Sequence, residues 1–139
     1  MKKYCFYLIQ DDFYDLFKGD NLNAFLEMFF RKEESTYYKK QFDLFVKELD
    51  IEKIKFVLKE KFEVRKDFCC EGNVFSLDNY ITSNKEVMRV SYNCIELETD
   101  YEVSPFINTL GDYFPDLIGI DINNYKIDRI GLVSSPKIM

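Results

Sequence analysis

Tyr4-Cys5-Phe6-Tyr7-Leu8-Ile9-Gln10-Asp11-Asp12-Phe13-Tyr14-Asp15-Leu16-Phe17-Lys18-Gly19 carries both kinds of regular structure in one short run. Tyr4 to Ile9 is aromatic and branched throughout, the pattern of a buried first strand. Asp11 can then cap a helix by accepting backbone N–H bonds, and Gly19 supplies a left-handed stop. The helix so enclosed, about 12–18, places Phe13, Leu16 and Phe17 at i, i+3 and i+4, one apolar face with Tyr14 off the stripe. A strand leading directly into a helix makes an α/β class the starting expectation.

Helical spacing continues downstream. Phe25, Leu26, Met28, Phe29 and Phe30 mark a second helix over about 22–31. Ser35 caps a third over 36–49, with Tyr38, Phe42, Phe45 and Leu49 on one side and Lys39, Lys40 and Lys47 on others. Asp50 caps a fourth over 51–61 through Ile51, Ile54, Leu58 and Phe62, although the 54-56-58 alternation also fits a strand. From Val87 the period changes to two: Val87 to Tyr92 and Cys94 to Glu98 read as a hairpin turning near Tyr92-Asn93. Ser104-Pro105 opens a helix running to about Asp112 that buries Phe106, Leu110 and Tyr113. Leu117 to Ile122 is a strand, Asn123-Asn124 a turn, and Lys126 to Val133 a returning strand. This order predicts an α/β (α+β) fold, a mixed sheet covered by helices. With no repeats and no linker, residues 1–139 are expected to form a single compact domain.

Composition narrows the function. The net charge is −6, and an acidic protein repels phosphate backbones, so nucleic acid is not an expected direct partner. Residues 31–66 hold eleven Lys/Arg against eight Asp/Glu, whereas 92–128 hold eight Asp/Glu and one Lys. These are either two solvated faces or a basic face that meets an acidic partner. Met1-Lys2-Lys3 leads into only six apolar residues, too few for a signal core, and no stretch is long enough to span a membrane. A cytoplasmic location with free thiols at Cys5, Cys69, Cys70 and Cys94 is therefore expected. The adjacent Cys69-Cys70 pair is read as two partly buried small hydrophobes or as a redox sensor.

Catalysis finds little material. The chain has no His, which removes the commonest general base and every Ser-His or Cys-His pair. Phosphate-cradling glycine motifs are missing too. Asp11-Asp12 at a helix start complements the dipole rather than serving chemistry. Asp112, Asp116 and Asp121 bracket an apolar strand; they are solvated loop carboxylates or, alternatively, the ligands of a divalent cation in a small enzyme. The expectation is a protein without cofactor, metal or catalytic residues. Its 14 Phe and 10 Tyr are more than a core of this size needs, and aromatic residues anchor partners at interfaces. Phe13, Tyr14 and Phe17 put three rings on one short helix. They are either all core or an exposed protein-binding knob.

The opening run resembles that of the sporulation inhibitor of replication family, SirA, which has the form aromatic-x-x-Tyr-Leu-Ile-x-acid-acid-Phe, an aromatic four residues on, and Gly two later. Phe-rich 22–31, Lys40-Gln41-Phe42, Ile95-Glu96-Leu97, Asp100-Tyr101-Glu102, Leu117 to Asp121 and Gly131-Leu132 before Pro136 extend the likeness. It departs at Leu132, where the family usually has Trp, and over 60–85. The resemblance implies a non-enzymatic inhibitor of replication initiation from the Firmicutes. Such a protein binds the N-terminal domain of the initiator DnaA and keeps it from assembling at the origin. By motif match, the resemblance puts Phe13, Phe17 and Gln41 at that interface, with Tyr14, Asp12 and Lys40 near its rim. It implies a monomer that forms a heterodimer with its partner. A module of the same fold that binds a different protein is the alternative.

Overall fold

The computed structural model describes residues 1–17 and 19–129. Its seven strands are β1 (Lys2–Tyr7), β2 (Phe68–Glu71), β3 (Val74–Asp78), β4 (Lys85–Val90), β5 (Ile95–Thr99), β6 (Ile118–Asp121) and β7 (Lys126–Arg129). They form one sheet in the order β2-β3-β4-β5-β1-β6-β7. A 3-10 helix, Asp11–Phe17, follows β1, and the α-helices are α1 (Leu22–Arg31), α2 (Thr36–Phe45), α3 (Ile51–Phe62) and α4 (Pro105–Leu110).

The α/β class with a helix-covered sheet holds, but every strand pairing is antiparallel rather than mixed. Tight hairpins dictate three of those pairings. The α4 crossover joins β5 to β6, which run in the same direction with β1 inserted between them. No two parallel strands therefore touch.

β1 is central and buried on both faces, which is why it reads as an unbroken apolar run. Tyr4 and Phe6 join a core with Met88, Leu97, Leu58 and Phe106 under α3 and α4. Cys5, Tyr7 and Ile9 join another with Phe25, Phe29, Phe42 and Ile118 under α1 and α2. Strands β2–β5 are covered on one face only, hence the alternation of Met88 and Val90 inward with Lys85 and Arg89 outward.

Side chains at Ser35, Asp50 and Ser104 cap α2, α3 and α4, accepting from the backbone N–H groups of Tyr38, Lys53 and Ile107 at 3.2, 3.1 and 3.2 Å. Segment 51–61 is helix, not strand, because its buried residues recur with helical spacing. The β2–β3 hairpin was not foreseen. Its turn is Gly72-Asn73, with Gly72 at φ +59°, a conformation glycine adopts without penalty. The expected strand 126–133 is β7 as far as Arg129; residues 130–133 lie outside the described residues.

Glu86 is fully buried in β4. Its Oε2 accepts the Phe106 N–H of α4 at 3.1 Å, while Oε1 has no hydrogen-bond partner among the described residues. Burial pushes its carboxyl above the ordinary range, against the lowering pull of the Phe106 N–H and of the Ser104 and Thr99 hydroxyls nearby. The folded state therefore holds this proton more tightly than the unfolded chain. The associated stability is complete below the ordinary carboxylate range and is lost as pH rises through the elevated value. Glu86→Gln is expected to melt at a temperature that changes less than wild type across that window. Parallel melting curves at each pH would contradict this.

Candidate functional site

The opening 3-10 helix is docked by a short backbone clasp. Ile9 bridges antiparallel to Val46. The Gln10 N–H donates to Phe45 O at 2.8 Å, and the Lys47 N–H donates to Leu8 O at 2.7 Å. Gln10 Nε2 adds a bond to Val46 O at 3.2 Å. This pairing ends α2 at Phe45, shorter than the 36–49 expected, because residues 45–47 are drawn into backbone pairing with 8–10. Asp11, expected as a helix cap, instead accepts from Lys47 Nζ at 3.2 Å.

The helix is wound as 3-10 over its whole length, from the clasp towards Gly19 at φ +57°. Three residues per turn set i and i+4 about a third of a turn apart, further than in an α-helix. Phe13 and Phe17 nevertheless both meet Phe45, with Phe17 the deeper of the two. The opening rings are therefore neither all core nor all exposed. Phe17 is only 4 % exposed, and its ring meets Phe25 at 5.5 Å and Phe45 at 5.2 Å, both edge-on. Phe13 is half-buried, its ring edge-on to Phe45 at 4.7 Å, and it keeps exposed surface.

Phe45 is therefore the hub, touching both rings from the end of α2. Gln41 lies one turn earlier on α2, exposed, beside a groove between α1 and α2 lined by Ala24, Glu27, Met28, Arg31 and Tyr38. Lys40 is exposed next to it, and Asp12 is exposed on the 3-10 helix. Tyr14 turns elsewhere: its hydroxyl donates to Asp116 Oδ1 at 3.0 Å, and the Arg129 guanidinium lies 5.2 Å from its ring. It fastens the short helix to the segment between α4 and β6. Phe13, Phe17, Gln41 and Lys40 thus gather around the end of α2, while Tyr14 points away from it. Sequence periodicity placed Phe45 among core residues and missed its bridging position; its spacing of four from Gln41 was the available signal.

The carboxylates considered for a metal are engaged separately. Asp116 receives Tyr14, and Asp121 accepts the Asn124 N–H at 3.2 Å and Nδ2 at 2.9 Å within its own turn. Asp112 lines a groove between α3 and α4. Among the described residues, no group of three or more Cys, Asp or Glu is arranged to hold a metal ion. Cys69 and Cys70 alternate along β2, the first exposed and the second half-buried, both as free thiols. No helix among the described residues is long and apolar enough to cross a membrane.

The family model described as sporulation inhibitor of replication protein SirA matches residues 2–127. No curated protein matches the chain.

Proposed function

The chain belongs to the SirA family of sporulation inhibitors of replication, and from that premise we propose that it binds the N-terminal domain of the initiator DnaA through the end of α2 and the opening 3-10 helix. It acts in the cytoplasm as a single-domain monomer that forms a one-to-one heterodimer, covering the surface through which initiators assemble. No step of chemistry is needed; occupancy is the inhibition.

One observation carries the reading. Phe13 is held edge-on against Phe45 with part of its ring still in water, and an exposed amide, Gln41, stands a turn away. A pre-positioned aromatic loses little side-chain entropy on binding. Covering the rest of such a ring, on the order of 50 Å², yields roughly 1 kcal/mol from transfer alone. Gln41 offers a donor and an acceptor to fix orientation. Phe17 contributes from beneath, keeping Phe45 and hence Phe13 in place. Asp12 and Lys40 supply opposite charges at the rim, where they affect association rate more than final affinity.

Titration calorimetry of the full chain against the DnaA N-terminal domain tests the proposal. The expected result is a one-to-one complex with Kd in the micromolar range or below. No heat and no co-migration on gel filtration at tens of micromolar would contradict it.

A further inference from the structure

The face around Phe13 and Gln41 is bordered by large apolar side chains that the domain leaves in water. Leu16 is 54 % exposed, Tyr37 70 % and Leu44 65 %. Their placement is regular. Leu16 stands in line with Phe13 because 3-10 winding eclipses i and i+3. Tyr37, Gln41 and Leu44 are spaced i, i+4 and i+7 on α2, so they form one outward stripe, opposite the buried Phe42. The two rows meet where Phe13 packs on Phe45, the neighbour of Leu44 in sequence. The clasp between 8–10 and 45–47 holds them in register.

The rim is polarised. On the α2 side it carries Lys39 and Lys40, exposed; on the 3-10 side it carries Asp12, exposed. A complementary surface has an apolar centre, acidic side chains facing α2 and a basic side chain facing the 3-10 helix.

We infer that Leu16, Tyr37 and Leu44 are further contact residues of the docking face, and that the partner is a protein surface with an apolar centre flanked by acid on one side and base on the other. The inference rests on the proposed DnaA-binding reading and extends it. Continuity with Phe13 and Gln41, together with the charge polarity, selects a folded protein as occupant over a uniformly anionic surface. Leu44 and Tyr37 extend the contact along α2 away from the 3-10 helix.

The test is titration of the DnaA N-terminal domain into wild type, Leu16→Ser, Tyr37→Ser and Leu44→Ser, with Ile81→Ser as the control. Ile81 is 96 % exposed in the β3–β4 loop, away from this face. Each of the three variants is expected to weaken binding about tenfold, with the control unchanged. Because all three side chains are more than half exposed, melting temperatures stay near that of wild type. Leu44→Gln, which preserves helix propensity, gives a second reading at that position. If wild type binds and the three variants bind within about twofold of it, the inference is overturned and the proposed function stands. If wild type does not bind, both fall.

Discussion

Phe13→Ala is expected to weaken binding to the DnaA N-terminal domain by about 30-fold or more, equivalent to roughly 2 kcal/mol, while the protein stays folded. The two halves of this expectation have different origins. In the free protein Phe13 is half-buried, and its removal gives up one edge-on ring contact with Phe45 at 4.7 Å, worth about 1 kcal/mol. In the complex it gives up burial of the remaining ring surface and leaves a gap opposite whatever group the partner presents. Calorimetry gives the affinity and a thermal melt gives the stability. An affinity equal to wild type would remove the ring from the interface, and a collapsed melt would make it structural.

Phe17→Ala is expected to behave in the opposite way. The ring is 4 % exposed and sits between Phe25 and Phe45. Truncating a Phe in such a site typically costs about 3–5 kcal/mol, because the transfer term and the residual cavity add. In a chain of this length that lowers the melting temperature by roughly 10 °C or more. Binding per folded molecule falls less than in Phe13→Ala, since Phe17 acts through Phe45. Urea unfolding separates the two effects, as it reads stability without the partner. Unchanged stability with abolished binding would mean that Phe17 swings out to meet the partner.

The contrast between these rings shows where sequence periodicity stops being informative. Phe13 and Phe17 are four apart, a spacing that predicts an α-helix with both rings at similar depth. The segment winds as 3-10 instead, and nothing in its residue types distinguishes the two windings. The shortening of α2 has a similar cause. Leu49 continues the helical stripe of Phe42 and Phe45, but residues 8–10, distant in sequence, recruit 45–47 into backbone pairing. The β2–β3 hairpin leaves only a faint trace, Gly72-Asn73 between short apolar runs, because the cysteines and charges around it blur the alternation. Local signals fared better. The side chains of Ser35, Asp50 and Ser104 cap the helices they precede, since a cap depends on residues within one turn. β1 was legible as an unbroken apolar run, and the β4–β5 hairpin because its burial pattern alternates over five or more residues on each strand. Of the candidate site, the neighbourhood of Phe13 and Gln41 could be named from the sequence. The role of Phe45 and the outward position of Leu16 could not, because both follow from tertiary docking.

The central claim is that one face, made of the 3-10 helix and the outward side of α2, is what the partner covers. Its most direct test is amide chemical-shift mapping of the isotope-labelled chain on addition of the unlabelled DnaA N-terminal domain. The account expects the perturbed amides to cluster in residues 11–17 and 36–47, with the β3–β4 loop and the outer face of α3 unmoved. Perturbations centred on Phe56 or on Tyr80 and Ile81, or none at saturating partner, would contradict it.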